Sequence, residues 1–254
     1  MFSLAGRKGL VVGVANELSI ATGCASAFRA QGAELALTYL NEKARPHVEP
    51  VARTVDAALL LPCDVRVDGQ LEAVFAAIER EWGRLDFLLH SIAYAPREDL
   101  QARVVDSSAA GFLQAMDISC HSFIRMAKLA EPLMREGGTL MTVTFYGAEK
   151  VVEHYNLMGP VKAALEASVR YLAAELGPQR IRVHALSPGP LLTRAASGLD
   201  RFEELMEQAR QRAPGRRLVT IEEIGALAAY LASGPAAALT GNTIYVDAGF
   251  NVMD

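Results

Sequence analysis

A chain of 254 residues, 51% hydrophobic and 21% charged, can bury a large core, and a single α/β domain of this length is ordinary. A formal net charge of −4 excludes a general nucleic-acid binder held by phosphate attraction. The cysteines Cys24, Cys63 and Cys120 lie far apart without metal-ligand spacing, which excludes a disulfide framework and reads as buried thiols in a reducing compartment.

Residues 1–8 lack a cationic segment followed by a long apolar run, and no later stretch reaches transmembrane length, so a cytoplasmic protein without a membrane partner is expected. No internal repeat, low-complexity tract or long linker divides the chain.

Gly9-Leu10-Val11-Val12-Gly13-Val14-Ala15 is a short, continuously apolar run, the pattern of a parallel strand buried on both faces. Composition turns helical from Ser19 to Phe28, and this strand-turn-helix order offers a helix N-terminus to a pyrophosphate. Gly13, Ser19 and Gly23 allow a tight turn, close approach to phosphate and close helix-to-sheet packing, although the standard Gly-x-Gly-x-x-Gly is absent. The second strand is expected over residues 33–39. An acidic residue usually meets the adenosine ribose just beyond it, whereas Leu40 and Asn41 stand there, followed by Glu42, Lys43 and Arg45, which leaves NAD and NADP open. In the third strand, 58–65, Asp64 could accept from an adenine amine; as a cap for a helix over 70–82 it lies several residues early.

The fourth strand, 84–93, has a small, apolar carboxyl end. Ligands of a doubly wound sheet bind beyond such ends, so residues 91–95 should line the nicotinamide side of a crevice. His90 lacks a ligand-type partner nearby and reads as a satisfied core histidine. Residues 108–133 read as helical, with Phe112, Met116, Ile118, Phe123, Met126 and Leu129 as a stripe for core and subunit packing.

The fifth strand, 139–145, delivers the chain to Tyr155 and Lys162. Seven residues of helix drift only about 20° from two whole turns, which puts a phenol and an ammonium on one face. The positive charge should favour phenolate and lower the tyrosine's pKa, while the ammonium can hold a sugar's hydroxyls. Pro160 needs a first-turn position, so the helix begins near Leu157 with Tyr155 at its lip.

Sixth and seventh strands are expected at 181–186 and 243–247. Between them, Pro188, Gly189 and Pro190 open an excursion whose later part, 201–212, reads as helix; its length at a strand's carboxyl end suggests a substrate lid over about 191–218. Arg194, Arg201, Arg210, Arg212, Arg216 and Arg217 make it basic within an acidic chain. Interleaved Glu203, Glu204 and Glu207 suit a solvated face, and docking of an acidic carrier protein is the sharper alternative.

Over nearly its whole length the chain resembles the short-chain dehydrogenase/reductases, and within them the bacterial NAD(P)H-dependent enoyl-[acyl-carrier-protein] reductases. The motifs are Gly13-Val14-Ala15-Asn16-Glu17-Leu18-Ser19-Ile20-Ala21, Cys63-Asp64-Val65, His90-Ser91-Ile92-Ala93-Tyr94-Ala95-Pro96, Tyr146-Gly147-Ala148-Glu149, Tyr155-Asn156-Leu157-Met158-Gly159 with Lys162, and Ser187-Pro188-Gly189-Pro190 followed by Thr193-Arg194-Ala195-Ala196-Ser197-Gly198. The wide Tyr-x6-Lys spacing separates this group from the superfamily's usual Tyr-x3-Lys.

The resemblance implies a single Rossmann-type domain over residues 1–254, α/β with a doubly wound, parallel, seven-stranded sheet. It implies hydride transfer from NAD(H), with NADP(H) not excluded, to C3 of a trans-2-enoyl thioester on acyl carrier protein, in fatty acid biosynthesis. Tyr155 and Lys162 would be catalytic, the first donating to the thioester oxygen and the second holding the nicotinamide ribose. Gly13, Ser19 and Ile20 would meet the pyrophosphate, Leu40 the adenosine ribose, Asp64 and Val65 the adenine, Ser91 and Ile92 the ribose region, and Leu191 and Thr193 the carboxamide and phosphates. Ala95, Phe145 and Tyr155 would contact the acyl substrate. A homotetramer is implied as well.

Phe145 stands where the family usually places a second tyrosine, Leu40 where many members have glutamine, and Ala248 where the closing turn often has glycine. Two other readings compete. Tyr146-Gly147-Ala148-Glu149-Lys150 is literally Tyr-x3-Lys, the arrangement of a carbonyl or 3-ketoacyl reductase, but Tyr146 comes directly off the fifth strand, where those enzymes place a serine. A non-catalytic nucleotide-binding homologue is the other, and retention of both Tyr155 and Lys162 argues against it.

Overall fold

The structure is a computed structural model describing residues 2–191 and 202–253. Short apolar runs too brief for helices make the strands: β1 (Lys8–Val12), β2 (Glu34–Tyr39), β3 (Leu59–Pro62), β4 (Phe87–His90), β5 (Gly138–Val143), β6 (Ile181–Pro188) and β7 (Asn242–Val246). They form one seven-stranded sheet in the order β3-β2-β1-β4-β5-β6-β7, every pairing parallel. Parallel neighbours require crossovers, which bury both faces and explain the unbroken apolar strands. The order reverses between β1 and β4, so the crevice opens at their carboxyl ends.

The helices are α1 (Ile20–Ala30), α2 (Arg45–Thr54), α3 (Gln70–Trp82), α4 (Arg97–Gln101), α5 (Ala109–Met116), α6 (Ser122–Ala130), α7 (Met158–Leu176), α8 (Phe202–Arg212) and α9 (Ile221–Ala232). One core joins the sheet to α3, α6 and α7 through residues such as Phe75, Ile78, Phe123, Met126 and Leu165. The other joins it to α1, α2 and α9 through Cys24, Phe28, Val48, Ile224 and Ala228. No helix among the described residues is long and apolar enough to cross a membrane.

Three features depart from the sequence reading. The stretch 108–133 is not continuous: a π-helical turn, Asp117–His121, separates α5 from α6. The extra residue rotates the stripe, so Ile118, Phe123 and Met126 are buried while Phe112 faces outward. Helix α2 carries Pro46 in its first turn and Pro50 inside, which hides it from a composition-based reading. Helix α9 begins at a reciprocal capping box between Thr220 and Glu223, a signature present in the sequence but not read there.

Gly23 serves a different neighbour from the one expected. A Cβ there would overlap the carbonyl of Ile221, and a Cβ at Gly225 would overlap the carbonyl of Gly23. The paired glycines bring α1 and α9 to backbone contact, so the close packing is helix to helix rather than helix to sheet.

Candidate active site

The expected phosphate end consists of Gly13 and the turn before α1. Gly13 has a φ of +103°, and a Cβ there would overlap the carbonyl oxygen of Ser91, so only glycine lets the end of β1 close on the end of β4. Ser19 is the N-cap of α1, but its hydroxyl does not cap. It donates to Asn16 O at 2.8 Å, and Thr22 Oγ1 donates to the same carbonyl at 2.7 Å. Both hydroxyls tie the turn back on itself and do not cap the helix, so its N-terminal end at Ile20 stays available to an anion, while Thr22 N and Gly23 N donate to Ser19 O.

At the ends of β2 and β3, Leu40 is half exposed with no polar group to offer. The Asp64 carboxylate is gripped by Arg66: Nε donates to Oδ1 at 2.9 Å and Nη2 to Oδ2 at 2.6 Å. This pair holds the Asp64 carboxyl below its usual range. Asp64 does not cap α3, whose N-cap is Gly69. A carboxylate has about four lone-pair sites, so Asp64 can still accept from an amine while bound to Arg66. Val65 is buried, and its carbonyl accepts from Arg125 Nη1 at 2.8 Å.

The other side of the crevice is packed and polar by turns. Ser91 N donates to Val12 O at 2.9 Å, and Ile92 packs on the core beneath the site. Ser119, placed by the π-helical turn, accepts from Tyr94 N at 2.9 Å and donates to Tyr94 O at 3.0 Å. It clamps the backbone that leads to Ala95. His90 is fully buried between Thr142 Oγ1 and Ser122 Oγ, each at 2.8 Å. Ser122 itself donates to Ile118 O at 2.6 Å, so its oxygen accepts from His90 Nε2. Burial pushes this imidazole down to about 3, with Lys162 adding to the effect; it is the satisfied core histidine expected.

Ala95, Phe145 and Tyr155 come together in one apolar cluster with Ala115, Leu157, Met158 and Val161. The Phe145 and Tyr155 rings meet edge to face, 4.8 Å between centroids. Gly147 makes room, since a Cβ there would overlap the Tyr155 ring. Helix α7 starts at Met158 with Leu157 as its N-cap, so Tyr155 stands at the lip as Pro160 predicted. Two other expectations about it are corrected. Asn156 has a φ of +43°, so no helical turn carries Tyr155 onto the face of Lys162. A left-handed turn, held where Asn156 Nδ2 donates to Leu100 O at 2.9 Å, delivers Tyr155 to the lip, so the helical-period argument does not explain the pair. Nor is the phenol's pKa lowered. Burial raises it well above the ordinary tyrosine range, and Glu166 adds to the rise, which keeps the hydroxyl protonated as a donor.

Lys162 is buried in α7, and its Nζ donates to Val143 O at 2.7 Å. Burial pushes the ammonium down to about 8, with Cys120 and Glu166 opposing the shift. Tyr146 turns the other way: its ring packs 5.7 Å from Phe250 and 6.4 Å from Tyr245, in a cluster with Ala209 and Ala213 at the end of α8.

Helix α8 matches the helical expectation for 201–212. Leu191 packs at the edge of the α1/α9 core, while Thr193 and the rest of 192–201 lie outside the described residues. Arg210 pairs with Glu207 at 3.0 Å and Arg217 with Glu223 at 2.6 Å, as a solvated face would. The three cysteines are free and buried. Sequence reasoning missed Ser119, Ser122, Thr144 and Glu166, whose signal was only a buried small-polar residue or a helical offset of four from Lys162.

A dinucleotide fits these residues. The α1 N-terminus offers N–H groups, and Ser187 Oγ, at the crevice end of β6, is buried without a hydrogen-bond partner among the described residues. A family model described as Enoyl-(Acyl carrier protein) reductase matches residues 13–251. Enoyl-[acyl-carrier-protein] reductase [NADH] 1 of Rhizobium meliloti is 45% identical over 248 residues, covering 98% of this chain and 91% of that protein. The [NADH] enzyme of Nostoc sp. is 44% identical over 256 residues, covering 100% and 99%. Among solved structures, the Anaplasma phagocytophilum reductase in complex with NAD has a TM-score of 0.95 at 46% identity, covering 100% of this chain and 97% of that one. The Bacillus cereus reductase with NADP+ and indole naphthyridinone has a TM-score of 0.97 at 43% identity, covering 100% of both.

Proposed function

This chain belongs to the enoyl-(acyl carrier protein) reductase family, and from that premise we propose how its own residues do the work. It is an oxidoreductase of fatty acid biosynthesis that uses NAD(H) and reduces trans-2-enoyl thioesters on acyl carrier protein to the saturated acyl thioesters. The observation that carries the residue assignment is the buried, protonated Tyr155 phenol set against Phe145, with the Lys162 ammonium buried in the following helix.

The reduced nicotinamide supplies a hydride for C3 of the enoyl group. Negative charge then develops on the thioester oxygen, and Tyr155 donates a hydrogen bond to it, the stabilisation that a preorganised donor in a water-poor site provides most strongly. A proton from solvent, taken up at C2 as the enolate collapses, completes the saturated product. Lys162 holds the ribose hydroxyls through its ammonium protons and favours the charge that forms beside it. Gly13, Ser19 and Ile20 bind the pyrophosphate at the α1 N-terminus, and Asp64 and Val65 bind the adenine. Leu40 lies beside the adenosine ribose, where its apolar side chain offers no hydrogen bond. Ser91 and Ile92 line the ribose region, and Leu191 lies at the nicotinamide end.

Ala95 and Phe145 bound the acyl chain. Phe145 shapes the pocket without donating a hydrogen bond, so turnover or chain-length preference is altered and activity is retained. The segment over about 191–218 acts as the substrate lid, with Arg212 and Arg216, rather than the Glu-paired Arg210 and Arg217, offered to the acidic carrier protein. Exposed Leu113, Ile124 and Tyr171 on α5, α6 and α7 support assembly as a homotetramer. Nothing in the geometry favours Tyr146 and Lys150, because the Tyr146 ring belongs to the cluster at the end of α8.

The test follows loss of reduced-nicotinamide absorbance with NADH and NADPH in parallel, offering a 2-enoyl thioester or a 3-ketoacyl thioester. Oxidation with the enoyl substrate alone is expected. Oxidation with the ketoacyl substrate alone would show that the wrong tyrosine has been assigned.

A further inference from the structure

Three consecutive residues at the end of β5 each hold a different part of the catalytic lip. Val143 O accepts from Lys162 Nζ at 2.7 Å, Thr144 Oγ1 donates to Glu166 Oε1 at 2.7 Å, and the Phe145 ring packs on Tyr155 at 4.8 Å. Thr144 is itself fixed, since its N donates to Leu186 O of β6 at 2.8 Å and its side chain is buried. Glu166 lies one helical turn beyond Lys162 on α7 and is buried beside it.

A buried carboxylate is costly unless something requires it, because an apolar residue of similar size would hold a helix to a sheet equally well. The other buried carboxylates have evident duties. Asp64 is paired with Arg66; Asp99 accepts from Ser108 N at 2.5 Å at the start of α5; Asp247 accepts from Asn251 N at 2.7 Å in the closing turn. Glu166 is held by the hydroxyls of Thr144 and Thr243, with no cation in ion-pair contact among the described residues. Its charge acts on both catalytic groups, Lys162 and Tyr155.

Building on the reductase reading above, we propose that Thr144 and Glu166 are positioning residues for the reaction: their hydrogen bond sets the height of α7 on the end of β5, and the carboxylate keeps Lys162 charged beside Tyr155. The charges facing this pair come from several elements. Cys120 of the π-helical turn and His90 of β4 face Lys162, while Glu149, Arg170 on α7 and Tyr245 on β7 surround Glu166. Glu166 opposes the fall in the Lys162 pKa that burial causes.

The experiment compares Thr144→Val, Thr144→Ser and Glu166→Gln with the parent enzyme, reading kcat, KM for a 2-enoyl thioester, NADH affinity by fluorescence, and the pH profile. Thr144→Val is expected to lower kcat about 10-fold, the cost of losing a bond to a charged acceptor, with NADH affinity kept within about 2-fold. Thr144→Ser restores kcat to within about 3-fold, because the hydroxyl returns. Glu166→Gln keeps an acceptor for Thr144 but removes the charge, and moves the alkaline limb of kcat/KM to lower pH by about 0.5 or more. Parental kcat in Thr144→Val together with a parental pH profile in Glu166→Gln overturns the proposal. If Thr144→Val does not fold, a parental profile in Glu166→Gln overturns it alone. A parent enzyme that leaves enoyl thioesters unreduced overturns the reductase reading, and this inference with it.

Discussion

The two halves of the crevice are built on opposite terms. On the proposed adenosine side, at the ends of β2 and β3, Leu40 is half open to solvent and the buried Asp64 is already engaged by the half-exposed Arg66. On the nicotinamide side, at the ends of β4 and β5, Tyr155, Lys162, Thr144 and Glu166 are all buried, and burial moves the phenol up and the ammonium down. In the proposed mechanism, groups of the first kind contribute equally to bound substrate and transition state, and groups of the second kind act where charge develops.

Substitutions should separate the halves by which kinetic constant they move. The largest effect is expected from Tyr155→Phe, which removes the oxyanion donor: steady-state kcat falls about 10²–10³-fold, while NADH affinity measured by fluorescence is kept. Tyr146→Phe serves as its control and keeps kcat within about 3-fold, since that ring only packs at the end of α8. Comparable losses from both would erase the distinction between the two tyrosines. Next comes Asp64→Ala, expected to raise KM for NADH roughly 10-fold with kcat unchanged, as loss of one charged hydrogen bond made throughout the reaction would. A fall in kcat instead would move Asp64 to the catalytic side of the comparison.

A titration sharpens the contrast further. Lys162 is charged below its pKa of about 8 and neutral above it, so kcat/KM should be level in the neutral range and decline as pH rises through about 8. Tyr155, raised by burial, stays protonated across that range and adds no limb there. The smallest effect lies outside both halves. Ala248 has a φ of +56°, a left-handed conformation that costs an L-residue about 1 kcal/mol or more, and its carbonyl accepts from Gly215 N at 3.0 Å. Ala248→Gly should stabilise by about 0.5 kcal/mol, read as a melting temperature higher by roughly 1–2 °C, with kcat unchanged.

The same contrast governs what the sequence disclosed. The strands follow from short apolar runs alternating with helical segments, and Gly13 was legible as the small residue of a tight turn; the order of the strands was not read. Tyr155 and Lys162 were legible as a pair, yet for an incomplete reason. Helical spacing suggested one face, whereas a left-handed Asn156 brings the tyrosine to the lip, and no periodicity encodes that turn. Burial, which sequence does not display, reversed the expected direction of the phenol's pKa. The partners of Asp64 and Glu166 depend on contacts across the fold, and the role of Gly23 depended on α9, an element left unread despite its capping box.

That contact between Gly23 and Gly225 bears on how far one substitution can reach. The excursion after β6 returns to the domain at α9, and α9 is bolted through glycine to the helix that receives the pyrophosphate. The far post of the proposed lid is thus part of the foundation of the proposed cofactor seat, so a substitution that loosens Gly225 from Gly23 reaches both at once.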